Sequence, residues 1–186
     1  RRAHDVVSED RDVAVETSVG LLEDTWADPL TGLASRARMR AIIEASLGAG
    51  PGAGSPGVLV AGLDGKLAED LGHRVADQAL VSMAERVRSL CGIHPQDWDT
   101  AGRWGESSII VIPPASSERS IREWALSLQG ALTTMTTAEG HSCSGSVAEV
   151  RIAPGTSMAS LEVEIRHALA EALDAGPSGL ASNVRA

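Results

Sequence analysis

Carboxylates placed beside turns are the residues from which chemistry would have to be built in this chain. The stretch Arg103-Trp104-Gly105-Glu106-Ser107-Ser108-Ile109-Ile110-Val111-Ile112-Pro113-Pro114 sets a small polar turn ahead of a β-branched apolar run that prolines then stop. It reads as one arm of a hairpin in a buried sheet. Glu106 in that turn and Asp64, just after the apolar run Val58-Leu59-Val60-Ala61-Gly62, are carboxylates of the kind that hold a divalent cation against phosphate oxygens. His141, Cys143 and Ser144 suit nucleophilic chemistry by type, but alternate strand residues share a face and no partner base is evident. Cys91 and Cys143 lie far apart and the 5 His are scattered, which argues against structural zinc and for an intracellular chain. The glycine-rich run from Gly48 to Gly57 lacks the Gly-Lys-Ser/Thr end of a phosphate loop and reads as a surface loop.

The elements that must carry these residues follow from composition and periodicity. A chain of 186 residues, 43% hydrophobic and 22% charged, suits one compact domain with an appendage. Aromatic content of 2%, four Trp with no Phe or Tyr, leaves the core to Leu, Ile, Val and Ala and speaks against stacking on nucleic-acid bases. The net charge of -9 repels polyphosphates unless a local basic patch or bound Mg²⁺ offsets it, so nucleic acid is excluded as a partner. No signal peptide or membrane span is visible, and the first residue, Arg1, suggests a fragment. Residues 1–27 read as an N-terminal helix striped by Val15, Val19, Leu22 and Trp26, either folded back on the domain or forming a short two-stranded coil between protomers.

The remainder, 28–186, alternates helices and strands. A helix from Arg36 to Leu47 turns Met39, Ile42, Ile43 and Leu47 inward and leaves Arg36, Arg38 and Arg40 as a solvated face. Val58 to Gly62 reads as a central strand covered on both faces. A helix then runs from Gly72 through Leu80, Met83, Val87 and Leu90. Another spans Ser117 to Gly130, capped by Ser116 or Ser117 with Glu118 in its first turn and Ile121, Trp124, Ala125 and Leu128 on one face. A strand from His141 to Val150, a helix from Ser157 to Asp174 and a short strand at Asn183-Val184 close the chain.

Asp28-Pro29-Leu30-Thr31-Gly32-Leu33-Ala34-Ser35-Arg36 matches the Asp-x-Leu-Thr-Gly-Leu-x-Asn-Arg motif of GGDEF domains, with Ser35 for the Asn. The Gly105 hairpin resembles the signature hairpin of the same family, the bacterial diguanylate cyclases that join two GTP into cyclic di-GMP. Gly72-His73 with Asp77 resembles the family's Gly-His-x-x-Gly-Asp segment, with Ala76 for the second Gly. Ser142, Ser144, Val147 and Ala148 resemble its Thr-x-Ser-x-Gly-x-Ala strand, and Ala168, Leu169, Ala172 and Gly176 its last helix. The resemblance spans Asp28 to Val184. It implies the cyclase-type α/β (α+β) fold: a five-stranded, mostly antiparallel sheet flanked by helices, with the Gly105 hairpin at its rim.

The same resemblance locates what is missing. The five signature letters read Gly105-Glu106-Ser107-Ser108-Ile109, so the acidic third position that holds magnesium in the family is Ser107. The other magnesium Asp falls on Val60 and the guanine-reading Asn on Ala68, while Asp77 retains a guanine contact. On the last helix the phosphate-binding Lys falls on Leu173, a nearby basic residue on Pro177 and an Asp on Arg166. The inhibitory Arg-x-x-Asp site becomes Gln96-Asp97-Trp98-Asp99, where Gln supplies no planar charged fork for guanine or phosphate. Trp98 and Trp104 read as packing at the sheet edge, and Arg103 with Trp104 is left free to serve some other ligand.

These losses imply no catalytic residues, no bound metal and no cofactor, with Mg²⁺ needed only if GTP still binds. The first reading is a catalytically inactive, cytoplasmic GGDEF-like domain that signals, dimerises or binds a protein partner through its N-terminal helix. The second is a receptor for GTP or cyclic di-GMP built on Asp77 and the turn Leu63-Asp64-Gly65. The third is a residual cyclase that rebuilds its metal site from Glu106 and Asp64 or is completed in a heterodimer.

Overall fold

A computed structural model describes residues 26–48, 57–64, 66–92, 100–113, 120–176 and 180–182. The all-apolar run becomes strand β1 (Gly57–Leu63), the middle of a five-stranded sheet in the order β2-β3-β1-β6-β7. β2 (Ala101–Arg103) and β3 (Ser108–Val111) are the arms of the hairpin, and β3 runs antiparallel to β1 with Gly62 opposite Ser108. On its other side β1 pairs antiparallel with β6 (Gly145–Arg151), which in turn takes β7 (Leu180–Ser182) as its one parallel neighbour.

Period-two alternation divides the sheet's side chains between two helical layers. Val58, Val60, Ile110, Ala148 and Val150 face α1 (Arg36–Gly48) and α5 (Met158–Asp174), where Met39, Ile43, Leu161 and Ile165 complete one core. Leu59, Ala61, Leu63, Ile109 and Val111 face α3 (His73–Cys91) and α4 (Ile121–Leu132), where Met83, Val87 and Leu128 complete the other. A six-residue helix, α2 (Lys66–Leu71), precedes α3, and a two-stranded ribbon of β4 (Met135–Thr136) and β5 (Ser142–Cys143) follows α4. Truncating Ile43 or Leu161, both essentially inaccessible, to Ala would cost about 2–5 kcal/mol.

Several expectations need correction. α4 starts at Ile121 and not at Ser117, because Ser120 forms a capping box: its Oγ accepts from the Glu123 amide at 3.2 Å, and the Glu123 carboxylate accepts from the Ser120 amide at 2.7 Å. Ser116, Ser117 and Glu118 lie outside the described residues. The strand expected from His141 to Val150 is two strands broken at Ser144. Buried Gln129 of α4 sets the start of the second, donating to the Gly145 carbonyl at 3.0 Å and accepting from the Val147 amide at 2.8 Å. Arg36, Arg38 and Arg40 are not simply solvated. Arg36 stacks over Trp104 and pairs with Glu162, Arg40 pairs with Glu162 and Glu44, and Arg38 stacks over Trp26. The last strand ends the described chain at Ser182, while Asn183 and Val184, the N-terminal stripe before Trp26, most of the Gly48 to Gly57 loop and the Gln96 to Asp99 stretch lie outside it.

The Asp28 motif docks on the outer edge of β2, where Arg103 donates its amide to the Ala34 carbonyl at 2.8 Å and Ala34 donates to Ala101 at 3.2 Å. That approach requires glycine at 102. A Cβ there would stand 2.6 Å from the Ala34 carbonyl oxygen and 2.2 Å from Met39 Cγ.

Candidate functional site

The end of β1 and the Gly105 turn are drawn together by one backbone bond, from the Leu63 amide to the Ser107 carbonyl at 2.9 Å. The turn itself is closed by Trp104 and Gly105 amides donating to the Ser108 carbonyl at 2.9 and 3.3 Å. Arg103 then clamps it from beneath, with Nε donating to the Gly105 carbonyl at 3.0 Å and Nη2 to that of Glu106 at 3.1 Å. Its Nη1 pairs with Asp28 at 3.4 Å, and Asp28 in turn accepts from the Thr31 amide and hydroxyl at 2.9 and 2.8 Å. Arg88 of α3 reaches the Thr31 carbonyl at 2.8 Å. Arg103 therefore serves the backbone of its own hairpin and the Asp28 motif, and Trp104 is buried under Arg36, as its expected packing at the sheet edge requires.

Side chains at this junction are poor in metal donors. Val60 is wholly buried opposite Ile110, facing the α1 and α5 layer. Gly62, one period further along, lies under Leu169 of α5, whose Cδ1 would be 2.8 Å from a Cβ at that position. A carboxylate at 62 would thus displace an aliphatic side chain. Ser107 contributes its carbonyl to the sheet, and Glu106 is exposed. Asp64 caps α2, its Oδ1 accepting from the Lys66 amide at 3.0 Å and its carbonyl from the Leu67 amide at 3.0 Å. The amides of Leu63, Lys66 and Leu67 are thereby occupied within the chain; Gly65 lies outside the described residues. Among the described residues no three His, Cys, Asp or Glu side chains come together as a metal site, and the carboxylates at this junction are those of Asp64 and Glu106.

Asp77 has other company. It is exposed on the first half of α3 and lines a groove of about 370 Å³ between that helix, Leu30 of the Asp28 motif and the segment Thr136-Thr137-Ala138 at the end of β4. Ala68 is in the short helix α2, and on α5 Arg166 is exposed and Leu173 half-buried. Gln96, Asp99 and Pro177 lie outside the described residues.

Burial raises the Cys143 thiol above its ordinary range, and that of Cys91 at the end of α3 to about 11. Both are protonated at neutral pH. Periodicity alone did not reveal Glu149, a 1% exposed carboxylate on β6 held by Arg151 at 2.9 Å and Arg122 at 3.6 Å. Its signal was present as a lone acid inside the apolar run Val147 to Val150, next to a compensating Arg.

No curated protein sequence matches the chain. Solved structures do. The diguanylate cyclase SiaD of Pseudomonas aeruginosa, in complex with its activator SiaC, superposes with a TM-score of 0.70 at 20% identity, covering 98% of this chain and 72% of that one. The coiled coil and GGDEF domain of DgcB from Caulobacter crescentus, in complex with c-di-GMP, gives 0.66 at 20% identity over 97% of each chain. The S helix-GGDEF-EAL portion of Vibrio cholerae LapD, bound to c-di-GMP, gives 0.66 at 20% identity over 94% of this chain and 41% of that chain. At such identities these neighbours establish the fold, and they show the five-stranded sheet between helices that the resemblance implied. The family described as diguanylate cyclase, GGDEF domain, matches residues 25–178, and with that span this chain belongs to the GGDEF family.

Proposed function

We propose that this GGDEF domain is catalytically inactive and serves as a signalling, dimerisation or protein-interaction module in a bacterial cyclic-di-GMP-type regulatory protein. The observation that carries this reading is the contrast at one hydrogen bond. Leu63 and Ser107 hold the backbone of β1 and the turn in register, while Val60 is buried in the core shared with α1 and α5, Gly62 is covered by Leu169, and position 107 carries a hydroxyl in place of a carboxylate. Joining two GTP needs divalent metal to neutralise the triphosphate and activate a 3′-hydroxyl. Removing electrostatic groups of that kind costs orders of magnitude in rate each. SiaD, a protein of this fold, is solved with a protein activator, which makes a protein partner a natural expectation for a domain without chemistry. The N-terminal segment leading into Trp26 is the first place to look for the coupling, in a cytoplasmic protein whose described helices include none long and apolar enough to cross a membrane.

Asp77 beside the groove on α3 favours a second reading, a receptor for GTP or cyclic di-GMP that needs no metal. DgcB and LapD are both solved with c-di-GMP, the ligand this alternative would take. A residual cyclase would instead need Asp64 to leave the α2 cap and join Glu106 at a metal, or a heterodimer partner to complete the site.

Calorimetric titration with GTP and with cyclic di-GMP, each with Mg²⁺ and again with EDTA, separates the readings. The interaction module predicts no heat with either ligand and no cyclic di-GMP formed from GTP. Mg²⁺-dependent binding would overturn it in favour of Asp64 and Glu106, and metal-independent binding lost in Asp77→Asn would favour the receptor.

A further inference from the structure

The groove along α3 carries charge that nothing in the domain uses. Asp77, Val81 and Glu85 follow one another at helical spacing of four, so they share one face of α3, with the acids about 12 Å apart along the axis. Both carboxylates are exposed, and neither has an ion-pair partner among the described residues. The other charges at the groove cancel, because Arg74 pairs with Glu139. Leu30, Val81 and the methyl groups of Thr136 and Ala138 make the surface between the acids largely apolar. At its floor Gln78 is oriented by Glu139, which accepts from Nε2 at 2.8 Å. That fixes Oε1 as the free end of the amide, and no donor reaches it among the described residues although it is buried.

We infer that this groove docks a basic amphipathic helix of a protein partner, with two cations spaced to meet Asp77 and Glu85 and an aliphatic side chain between them against Val81 and Leu30. The inference rests on the interaction-module reading and gives it a surface. A helix laid in an apolar groove and registered by opposite charges is an established mode of recognition, and packing at the usual interaxial distance brings side chains of this spacing together. Two carboxylates with no counter-charge set the sign of the partner, since like charge across such a rim is strongly disfavoured.

The test uses the whole chain and a synthetic helical peptide with a Lys, a Leu four residues on and a second Lys four residues beyond, in an Ala/Gln background, against the same peptide with Glu for Lys. Fluorescence anisotropy should show the Lys peptide bound and the Glu peptide not, with affinity falling as salt rises. Glu85→Lys, at an exposed position where circular dichroism verifies the fold, should weaken the Lys peptide about tenfold and admit the Glu peptide. No binding of the Lys peptide, equal binding of both, or indifference to Glu85→Lys each overturns the inference. Cyclic di-GMP synthesis would overturn the interaction-module reading by itself, whereas a failed peptide titration removes the groove alone.

Discussion

The Asp28 turn and the Gly105 turn are held by the same Arg103 side chain, yet they differ in what their own side chains do. In the Asp28 turn the side chains are structural parts: Asp28 receives Thr31 twice and Arg103 once, and Ala34 bridges to the β2 edge over a glycine that admits nothing larger. In the Gly105 turn the backbone does the holding, through the carbonyls of Gly105, Glu106 and Ser107, and the side chains of Glu106 and Ser107 carry none of the bonds. A fold can therefore keep the second turn whatever residues decorate it.

The comparison is most exposed to a change at its tightest contact. Gly102→Val should destabilise the domain by about 3 kcal/mol or prevent folding, since the Ala34 carbonyl cannot yield without undocking the motif; urea unfolding would measure it. A mutant as stable as the parent would show that the motif docks loosely. Next comes Arg103→Ala, which frees Asp28 and two carbonyls at once and should cost about 1–2 kcal/mol. Arg103→Lys should recover little, because a point charge cannot serve both turns. If lysine restores full stability, the two turns are not coupled through the guanidinium fork.

A third change acts through pH and lies outside both turns. The Cys91 thiol is raised from 9.0 to about 11 by burial, so between those values the folded state holds a proton that the unfolded state releases. Its contribution to stability is complete below pH 9 and is lost as pH rises toward 11. Unfolding midpoints should drop across that window in the parent and drop less in Cys91→Ala, and native Cys91 should alkylate about a hundredfold more slowly than an unfolded thiol near neutral pH. The smallest expected effects are at the Gly105 turn. Glu106→Ala and Ser107→Ala should each stay within about 0.5 kcal/mol of the parent by thermal melting. A loss above 1 kcal/mol at either would mean that these side chains hold the turn after all.

Much of the architecture was legible because it depends on local pattern. The apolar run from Val58 to Gly62 could only be a doubly covered strand, and the Asp28 string named its turn letter by letter. Where the reading slipped, a long-range partner intervened. Gln129 reaches across sixteen and eighteen positions to Gly145 and Val147, so the break at Ser144 follows from a helix that no strand pattern encodes. The solvated arginines became stacked and paired because Trp104 and Glu162 lie far along the chain. At α4 the information was local but passed over: Ser120 and Glu123 spell a capping box, and the serines before them drew the start too early.

By itself the sequence determined the four long helices and the central strand, the core's aliphatic makeup and the identity of the residues at the Gly105 turn, since propensity, period and residue type need no partner. Tertiary structure alone decided what those residues meet. It placed Leu169 over Gly62, tied Asp64 into the α2 cap, and set Asp77 and Glu85 along an apolar groove with the Arg74 charge already taken. Which groups face each other across the sheet depends on register and helix docking, and these are properties of the packed chain.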